Sequence, residues 1–359
     1  EKMELYEFLK SIPPADEKAR NEAHQHWMEC AKPLGSLGLL ETALEDIAAL
    51  TKDAQIKLFP RAVLVLCADN GVVAQRVTQT DSSVTSAVAY NLAAGKTAVC
   101  RMAAVAKCTV VPVDFGIRDF VPVSGVLNRR VGNGTADITQ GPAMTRAQAE
   151  QAIRNGVELV RQYAEKGIRL IATGEMGIGN TTTASAVASV LLHREPAQMT
   201  GRGAGLSNEG LKRKISAIEN AIEKNRPDAS DPVDVLAKVG GFDIAGMCGI
   251  FLGGAAFRIP VLIDGFISAV AALCATRLCP NATKAMLASH VSAEPAGSLL
   301  LQALEKRPLI TAGMRLGEGT GAVAAIPLLD MAQAVYSECY TFEQSGIEAY
   351  TPQEGMDER

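Results

Sequence analysis

The sequence has few aromatic residues, little net charge and no long uncharged apolar run. Aromatic residues make up 4% of the 359 residues, and the 35 basic and 39 acidic residues give a net charge of −4. No basic stripe or aromatic platform is present, which argues against a nucleic-acid partner. A membrane span needs about 18 apolar residues, and neither such a run nor the apolar core of a signal peptide is found. We therefore expect a soluble, cytoplasmic protein.

The cysteines and histidines show no metal-ligand spacing. No two of the eight cysteines form a Cys-x-x-Cys pair, and several lie in apolar runs. This pattern predicts buried free thiols in a reducing compartment and no zinc site. His24 and His26 lie in a charged, helix-like stretch, where we expect them to be solvated. The cysteines are Cys30, Cys67, Cys100, Cys108, Cys248, Cys274, Cys279 and Cys339, and the other histidines are His193 and His290.

What the sequence does contain is an alternation of short apolar runs with helical patterns. Strands are predicted over 62–71, 108–116, 168–177, 260–265 and 286–289, and helices over 83–106, 145–166, 180–192, 206–225, 242–256 and 266–278. Such alternation is typical of βαβ units. We predict an α/β fold with an open parallel, Rossmann-like sheet in a catalytic domain over 61–330. Several strands end in an acidic residue and a glycine, at the sheet edge where ligands bind.

Three glycine-rich segments carry the candidate chemistry. The first, GEMGIGNTTT from Gly174, joins a predicted strand to a predicted helix that Asn180 or Thr181 is expected to cap. Exposed N–H groups at a helix N-terminus favour an anion, although an ordinary turn has the same pattern. The second, GRGAGLS from Gly201, precedes the basic cluster Lys212, Arg213 and Lys214, of which two are expected to be solvated.

The third segment, MRLGEGTGA from Met314, places the single carboxylate of Glu318 between glycines. In an apolar pocket, desolvation would make this carboxylate a better base. The alternative from sequence alone is that Glu318 caps the next helix. Other motifs are excluded: Gly95-Lys96-Thr97 lacks the earlier glycine of a Walker A loop, and no GxSxG, HExxH or GxGxxG fingerprint is in place.

Together these segments resemble the nicotinate-nucleotide:dimethylbenzimidazole phosphoribosyltransferase family. The resemblance covers nearly the whole chain. It also includes the motifs KPLGSLG from Lys32, CADNGV from Cys67, GPAMTRAQAE from Gly141, KVGGFDIAGM from Lys238, LIDGF from Leu262 and SHVSAE from Ser289. It implies a small helical domain built from 1–60 and 331–359, and a dimer of identical or related chains.

The resemblance also implies a reaction and its residues. Glu318 matches the general base that deprotonates an aromatic acceptor, which then attacks the ribose of nicotinate mononucleotide and releases nicotinate. The mononucleotide is a substrate, so we expect no separate cofactor and no metal. Glu175 is expected to face the ribose or the acceptor and to assist the base. The residues expected around the substrates are Gly174, Gly177, Asn180, Thr181, Gly203, Lys214, Ser292, Thr80, Val88 and Leu316.

The departures from the family pattern concern the acceptor. Where the family has Ser, Pro and Gln in its benzimidazole pocket, this sequence has Thr80, Asp81 and Val88; it also has Asn70 for a histidine and Leu39 for an arginine. Because Val88 forms no hydrogen bond, an acceptor with a less polar edge, such as phenol or p-cresol, would lose little there. The acceptor is therefore either 5,6-dimethylbenzimidazole or a phenolic. A different alternative is a non-catalytic subunit that stabilises a related chain.

Overall fold

A computed structural model describes residues 4–353. Its centre is a parallel six-stranded sheet with the order β3-β2-β1-β4-β5-β6. The strands are β1 (Arg61–Ala68), β2 (Thr109–Gly116), β3 (Leu127–Asn128), β4 (Leu170–Met176), β5 (Val261–Ile263) and β6 (Met286–Ala288). This order is that of a doubly wound Rossmann sheet, in which the direction of chain progression reverses between β1 and β4. The predicted α/β class and parallel sheet are confirmed.

Helices cover both faces of this sheet. They are α1 (Leu5–Lys10), α2 (Glu17–Glu29), α3 (Leu39–Thr51), α4 (Ser83–Ala93), α5 (Ala98–Val105), α6 (Arg146–Glu165), α7 (Asn180–Leu191), α8 (Pro196–Met199), α9 (Asn208–Asn225), α10 (Pro232–Val239), α11 (Phe242–Phe257), α12 (Phe266–Leu278), α13 (Gly297–Ala303), α14 (Thr320–Glu338) and α15 (Phe342–Ser345), with 3-10 helices at Gly71–Gln75 and Pro280–Ala285. Along β1, Leu64 and Leu66 pack into one hydrophobic cluster with α6, α7, α11 and α12. Val63 and Val65 pack into another with α3, α5 and α14.

The small residues of the chain allow helices to pack at short distance. A Cβ atom on Gly249 of α11 would overlap the carbonyl oxygen of Ile153 on α6, and one on Gly156 would overlap the carbonyl of Gly246. At this crossing only glycine permits the backbones to meet. An Ala- and Gly-rich, aromatic-poor sequence is therefore used for close packing of helices on the sheet.

Several element boundaries differ from the prediction. The single helix expected over 83–106 is two helices, α4 and α5, because Gly95 adopts a positive φ of 69° between them. The short strand β3, which was not among the predicted strands, pairs with the end of β2. The short helices α8 and α10 were not predicted, and each has a proline in its first turn.

Helices from the two chain ends lie together on one face of the sheet. The ring centroids of Trp27 on α2 and Tyr336 on α14 are 5.0 Å apart, in an edge-on arrangement. Arg61, at the start of β1, donates two hydrogen bonds to Asp330 on α14, at 2.5 and 2.6 Å. The proposed helical domain over 1–60 and 331–359 stays a prediction, and its residues 1–3 and 354–359 lie outside the described ones.

The prediction that all cysteines are free thiols is wrong. Cys30 and Cys339 form a disulfide across a sequence separation of 309 residues, whereas the other six cysteines are free. His26, expected to be solvated, is half-buried beside this disulfide, and its ring nitrogen lies 2.6 Å from the carbonyl oxygen of Tyr336. These contacts join parts of the chain too distant in sequence for a spacing rule to relate them. Within residues 4–353, no helix has the length and apolar character to cross a membrane.

Candidate functional site

A cavity lies beyond the carboxyl ends of β4, β5 and β6, where the doubly wound topology predicts a ligand site. Its volume is about 260 Å³. The loops after these strands supply most of its wall. The lining residues are Glu175, Met176, Gly177, Ile178, Asn180, Thr181, Gly203, Ala204, Asp264, Gly265, Phe266, Ile267, Ser268, His290, Ser292, Glu294, Arg315, Leu316, Gly317, Glu318 and Thr320. Residues from all three glycine-rich segments therefore line one site.

The loop between β4 and α7 requires two of its glycines. A Cβ atom on Gly177 would overlap the carbonyl oxygen of Ala68, and Gly179 adopts a φ of 91° directly before α7. The expectation that Asn180 or Thr181 caps α7 is wrong, because Gly179 is the N-cap residue and no side chain caps the helix. Both side chains make other contacts around the cavity.

Asn180 joins two buried carboxyl groups. Its side-chain amide donates a hydrogen bond to Glu175 and another, at 2.9 Å, to Asp243 on α11. Burial, reinforced by the nearby charge of Asp243, raises the pKa of Glu175 to about 8. Burial also raises the pKa of Asp243 to about 6, against the hydrogen bond from Asn180, which lowers it. Glu175 is therefore largely protonated at neutral pH and has a proton to donate.

Glu318 lies in a backbone turn of unusual conformation. Gly317, Glu318 and Gly319 all have positive φ values, of 93°, 60° and 87°. For a residue with a Cβ atom this conformation costs about 1–2 kcal/mol, so the surrounding contacts must hold it. The Glu318 amide donates to the Glu175 carbonyl at 3.3 Å, and the buried Asp264 carboxylate accepts from the Gly319 amide at 3.2 Å.

The carboxylate of Glu318 does not cap α14, which excludes that alternative. Gly319 is the N-cap of α14, without a side-chain cap. One Glu318 oxygen instead lies 3.5 Å from the amide of Val99, in the first turn of α5. A helix N-terminus interacts favourably with a carboxylate. Glu318 thus reaches the wall of the cavity that Glu175 also lines, as a half-buried carboxylate.

Thr181 and Gly203 line another side of the cavity, and the fully buried Lys214, which does not line it, completes a polar cradle with them. The Lys214 ammonium donates to Thr181 Oγ1 at 2.8 Å and to the Gly201 carbonyl at 3.0 Å. Gly203 has a φ of 54°, and a Cβ atom there would lie 3.1 Å from Thr181 Oγ1. Burial lowers the pKa of Lys214 to about 8, and the charge of Glu294 opposes that shift. Lys212 and Arg213 are exposed, as predicted for two residues of this cluster.

The remaining predicted substrate-binding residues separate into two groups. Ser292 and the exposed Leu316 line the cavity, and Gly174 lies behind its wall against the Glu318 backbone. Thr80 and Val88 are not among the lining residues: Thr80 is exposed before α4, and Val88 is half-buried against a hydrophobic cluster. The structure therefore does not bring these two residues to this cavity.

Sequence reasoning missed Asp264, His290 and Asp243. Asp264 also accepts from the Ala322 amide at 3.0 Å, and thereby holds the first turn of α14. His290 lies with its Nε2 4.0 Å from Asp264 and fills the space that a Cβ atom on Gly321 would need. The signal for Asp264 was available, since it follows a strand and precedes a glycine. Asp243 lies in the first turn of α11 and does not follow a strand, so it lacks that signal.

The fold and this cavity define an α/β enzyme with a small-molecule site at the carboxyl ends of a parallel sheet. A family model described as "Phosphoribosyltransferase" matches residues 12–347. The nicotinate-nucleotide–dimethylbenzimidazole phosphoribosyltransferase of Ruminiclostridium cellulolyticum is 46% identical over 356 residues, covering 98% of this chain and 100% of that protein. The protein of the same name from Acetivibrio thermocellus is 46% identical over 97% of this chain and 99% of its own length.

Solved structures agree with the sequence relatives. The crystal structure of CobT from Thermus thermophilus superposes with a TM-score of 0.88 at 38% identity, covering 92% of this chain and 99% of that one. The chain therefore belongs to this phosphoribosyltransferase family. It is a transferase of the glycosyltransferase type, and its substrates are small molecules.

Proposed function

We propose that the chain transfers the ribose 5-phosphate of nicotinate mononucleotide to an aromatic base, to give an α-ribotide and nicotinate. The names of the relatives support this donor and point to 5,6-dimethylbenzimidazole as the acceptor, for the lower ligand of a cobamide. The observation that carries the proposal is that Glu318, the protonated Glu175 and Thr181, whose hydroxyl accepts from the buried Lys214 ammonium, line one cavity.

The proposed reaction assigns the carboxylate of Glu318 as the general base. Glu318 removes the proton from the acceptor as the acceptor attacks C1′ of the ribose. The bond from C1′ to the nicotinate nitrogen breaks, and its electron pair returns to that nitrogen, so the ring becomes neutral. Attack from the opposite side inverts the configuration at C1′ from β to α. Because the leaving group departs without a proton, the protein's task is to place the base and align the reactants.

We assign Glu175 a supporting role in the same step. With its pKa raised to about 8, it donates a hydrogen bond at neutral pH, and its second oxygen is held by Asn180. A neutral donor near the ribose orients a hydroxyl group and places no further negative charge beside Glu318. This assignment makes Asn180 a positioning residue, because it fixes the Glu175 carboxyl group.

The 5′-phosphate is assigned to the cradle of Lys214, Thr181 and Gly203. A buried ammonium already bonded to a hydroxyl and a carbonyl is held in place for an anion. The exposed guanidinium of Arg315 at the cavity wall supplies a second positive charge. These two cations offset the carboxylates that share the cavity.

The identity of the acceptor is a separate part of the proposal. A phenolic acceptor was inferred from Thr80 and Val88, which do not line the cavity, so that hypothesis lacks support from their positions. We therefore propose 5,6-dimethylbenzimidazole as the acceptor and keep phenol as the comparison compound. The dimer of identical or related chains also stays a prediction, which light scattering on the purified chain tests.

The proposal is tested by incubating the purified chain with nicotinate mononucleotide and either 5,6-dimethylbenzimidazole or phenol, with mass-spectrometric detection. We expect free nicotinate and a ribotide of the benzimidazole, with the α configuration by NMR. A ribotide of phenol alone would retain the transfer and overturn the acceptor. No ribotide from either compound would contradict the proposal and favour the alternative of a non-catalytic subunit.

A further inference from the structure

Three side chains with nitrogen and sulfur ligand atoms meet at the opposite end of α14 from Glu318. His26, Cys30 and Cys339 each place one ligand atom within 4.8 Å of the others. A helix of 19 residues is about 28 Å long at 1.5 Å per residue, so this cluster is separate from the catalytic cavity. The two sulfurs are bonded to each other, and their Cα atoms are 5.6 Å apart.

The backbone holds these residues together independently of the sulfur atoms. Cys30 directly follows α2 and Cys339 directly follows α14, while His26 lies in the last turn of α2 with its carbonyl oxygen 3.4 Å from Cys30 Sγ. The Ala31 amide donates to the Tyr340 carbonyl at 2.7 Å, and Cys30 pairs with Thr341 in an antiparallel bridge. Reduction of the disulfide therefore leaves two thiols beside the same imidazole.

The hydrogen bond of His26 fixes which of its ring nitrogens carries the hydrogen. Its Nε2 lies 2.6 Å from the Tyr336 carbonyl oxygen, which can only accept, so Nε2 carries the hydrogen. In a neutral ring Nδ1 then has the free electron pair. Metal-ligating histidines commonly donate their other N–H to a backbone carbonyl in this manner.

The charges around the cluster favour a cation. Cys30 and Cys339 lie at the C-terminal ends of α2 and α14, where the helix dipoles place partial negative charge. Each cysteine also directly follows a glutamate, Glu29 or Glu338. Cys30 is 1% exposed, but His26 and Cys339 are half-buried, so one side of the cluster is open to solvent.

We propose that the reduced form of this cluster is a Zn²⁺ site, with the thiolates of Cys30 and Cys339 and the imidazole of His26 as ligands. A dithiol reductant transfers two electrons to the disulfide, yields two thiols and becomes a disulfide itself. Binding of Zn²⁺ then releases the two thiol protons. Three protein ligands of this kind leave the fourth tetrahedral position to a water molecule. The disulfide is the oxidised, metal-free state of the same residues.

The test is metal binding by the full-length chain after reduction and anaerobic removal of the reductant. We expect native mass spectrometry to find one Zn²⁺ per chain. Co²⁺ in its place should give the intense visible bands of a tetrahedral site and a near-ultraviolet thiolate-to-cobalt transition. Cys30→Ser and Cys339→Ser should each lose this binding, and His26→Gln should weaken it at least about tenfold.

Matched controls separate this site from incidental thiol binding. Cys100→Ser removes a half-buried free thiol elsewhere, and His24→Gln removes the neighbouring exposed histidine; both should bind Zn²⁺ like the original chain. Circular dichroism confirms folding of each variant. The proposal is overturned if the reduced chain binds no more Zn²⁺ than Cys30→Ser does, if Cys100→Ser loses binding equally, or if the oxidised chain binds the same amount.

Discussion

Gly174 on β4 lies directly against the backbone of Glu318: a Cβ atom on Gly174 would be 2.7 Å from the Glu318 carbonyl oxygen. The absence of a side chain at this position lets the turn with Glu318 dock on the strand that carries Glu175. The separation of the two glutamates is thus set by a backbone contact. Two segments more than a hundred residues apart in sequence form one site through this contact.

Gly174→Ala should therefore displace the Glu318 turn. Backbone atoms cannot yield to the new methyl group, so we expect a loss of about 1–3 kcal/mol in the free energy of unfolding. We also expect a fall of about 100-fold in kcat, the size of effect that a misplaced catalytic group produces. Urea unfolding and steady-state kinetics measure the two effects. Gly141→Ala, where a Cβ atom meets nothing within 4 Å, should change neither.

Lys214→Met tests the assignment of the phosphate site. Loss of a charged hydrogen-bond donor worth about 1.5–3 kcal/mol should raise the KM for nicotinate mononucleotide about 10- to 150-fold. The same variant should use nicotinate riboside, which lacks the phosphate, as well as the original chain does. Lys212→Met removes an exposed lysine two residues away and is the control. An equal loss with both donors would show that Lys214 supports the fold and does not bind phosphate.

Glu175→Gln tests the protonation of the buried carboxyl group. Activity of the original chain should fall as the pH rises through about 8, where Glu175 loses its proton. Glutamine stays neutral, so the variant should lack that decline. A pH profile of kcat measures this difference, with the exposed Glu209→Gln as control. If kcat of the Glu175→Gln variant declines equally above pH 8, the ionisation of Glu175 is not the cause of the decline.

The raised pKa of Glu175 should also make the free energy of unfolding depend on pH. Its folded pKa of about 8 exceeds the ordinary value of 4.5, so between these pH values the folded chain holds more protons than the unfolded chain. The contribution of Glu175 to the free energy of unfolding is therefore greatest at low pH and is lost as the pH rises through that window. Urea unfolding across the window should show a flatter pH dependence for Glu175→Gln than for the original chain.

The sequence was sufficient to predict five of the six strands and the segments that meet at the cavity. Strands buried on both faces are continuous apolar runs, and turns such as Gly177-Ile178-Gly179 require glycine, so both leave local signals. The link between Asn180 and Asp243 leaves no such signal, because it joins the first turns of two helices that are about 60 residues apart in sequence. The disulfide between Cys30 and Cys339 was missed for the same reason, since no local pattern relates the chain ends.

The assignment of Thr80 and Val88 to an acceptor pocket stays a prediction, because it rests on resemblance alone and neither residue lines the cavity. Both were assigned to the acceptor pocket by matching a family pattern, yet Val88 packs against a hydrophobic cluster on the inner side of α4. A one-residue change of register along a helix rotates a side chain by about 100°. The contacts of a helix residue therefore depend strongly on the register in which the helix is matched to the family pattern.

The central claim, that Glu318 is the general base of a phosphoribosyl transfer, is tested most directly with Glu318→Gln. The variant keeps the size of the side chain and the turn but cannot take a proton at neutral pH. Turnover and binding of nicotinate mononucleotide are measured side by side, by mass spectrometry of products and by calorimetry. We expect kcat to fall about 10²- to 10⁴-fold while the nucleotide Kd stays nearly constant. Undiminished turnover would contradict the assignment of Glu318 as the base.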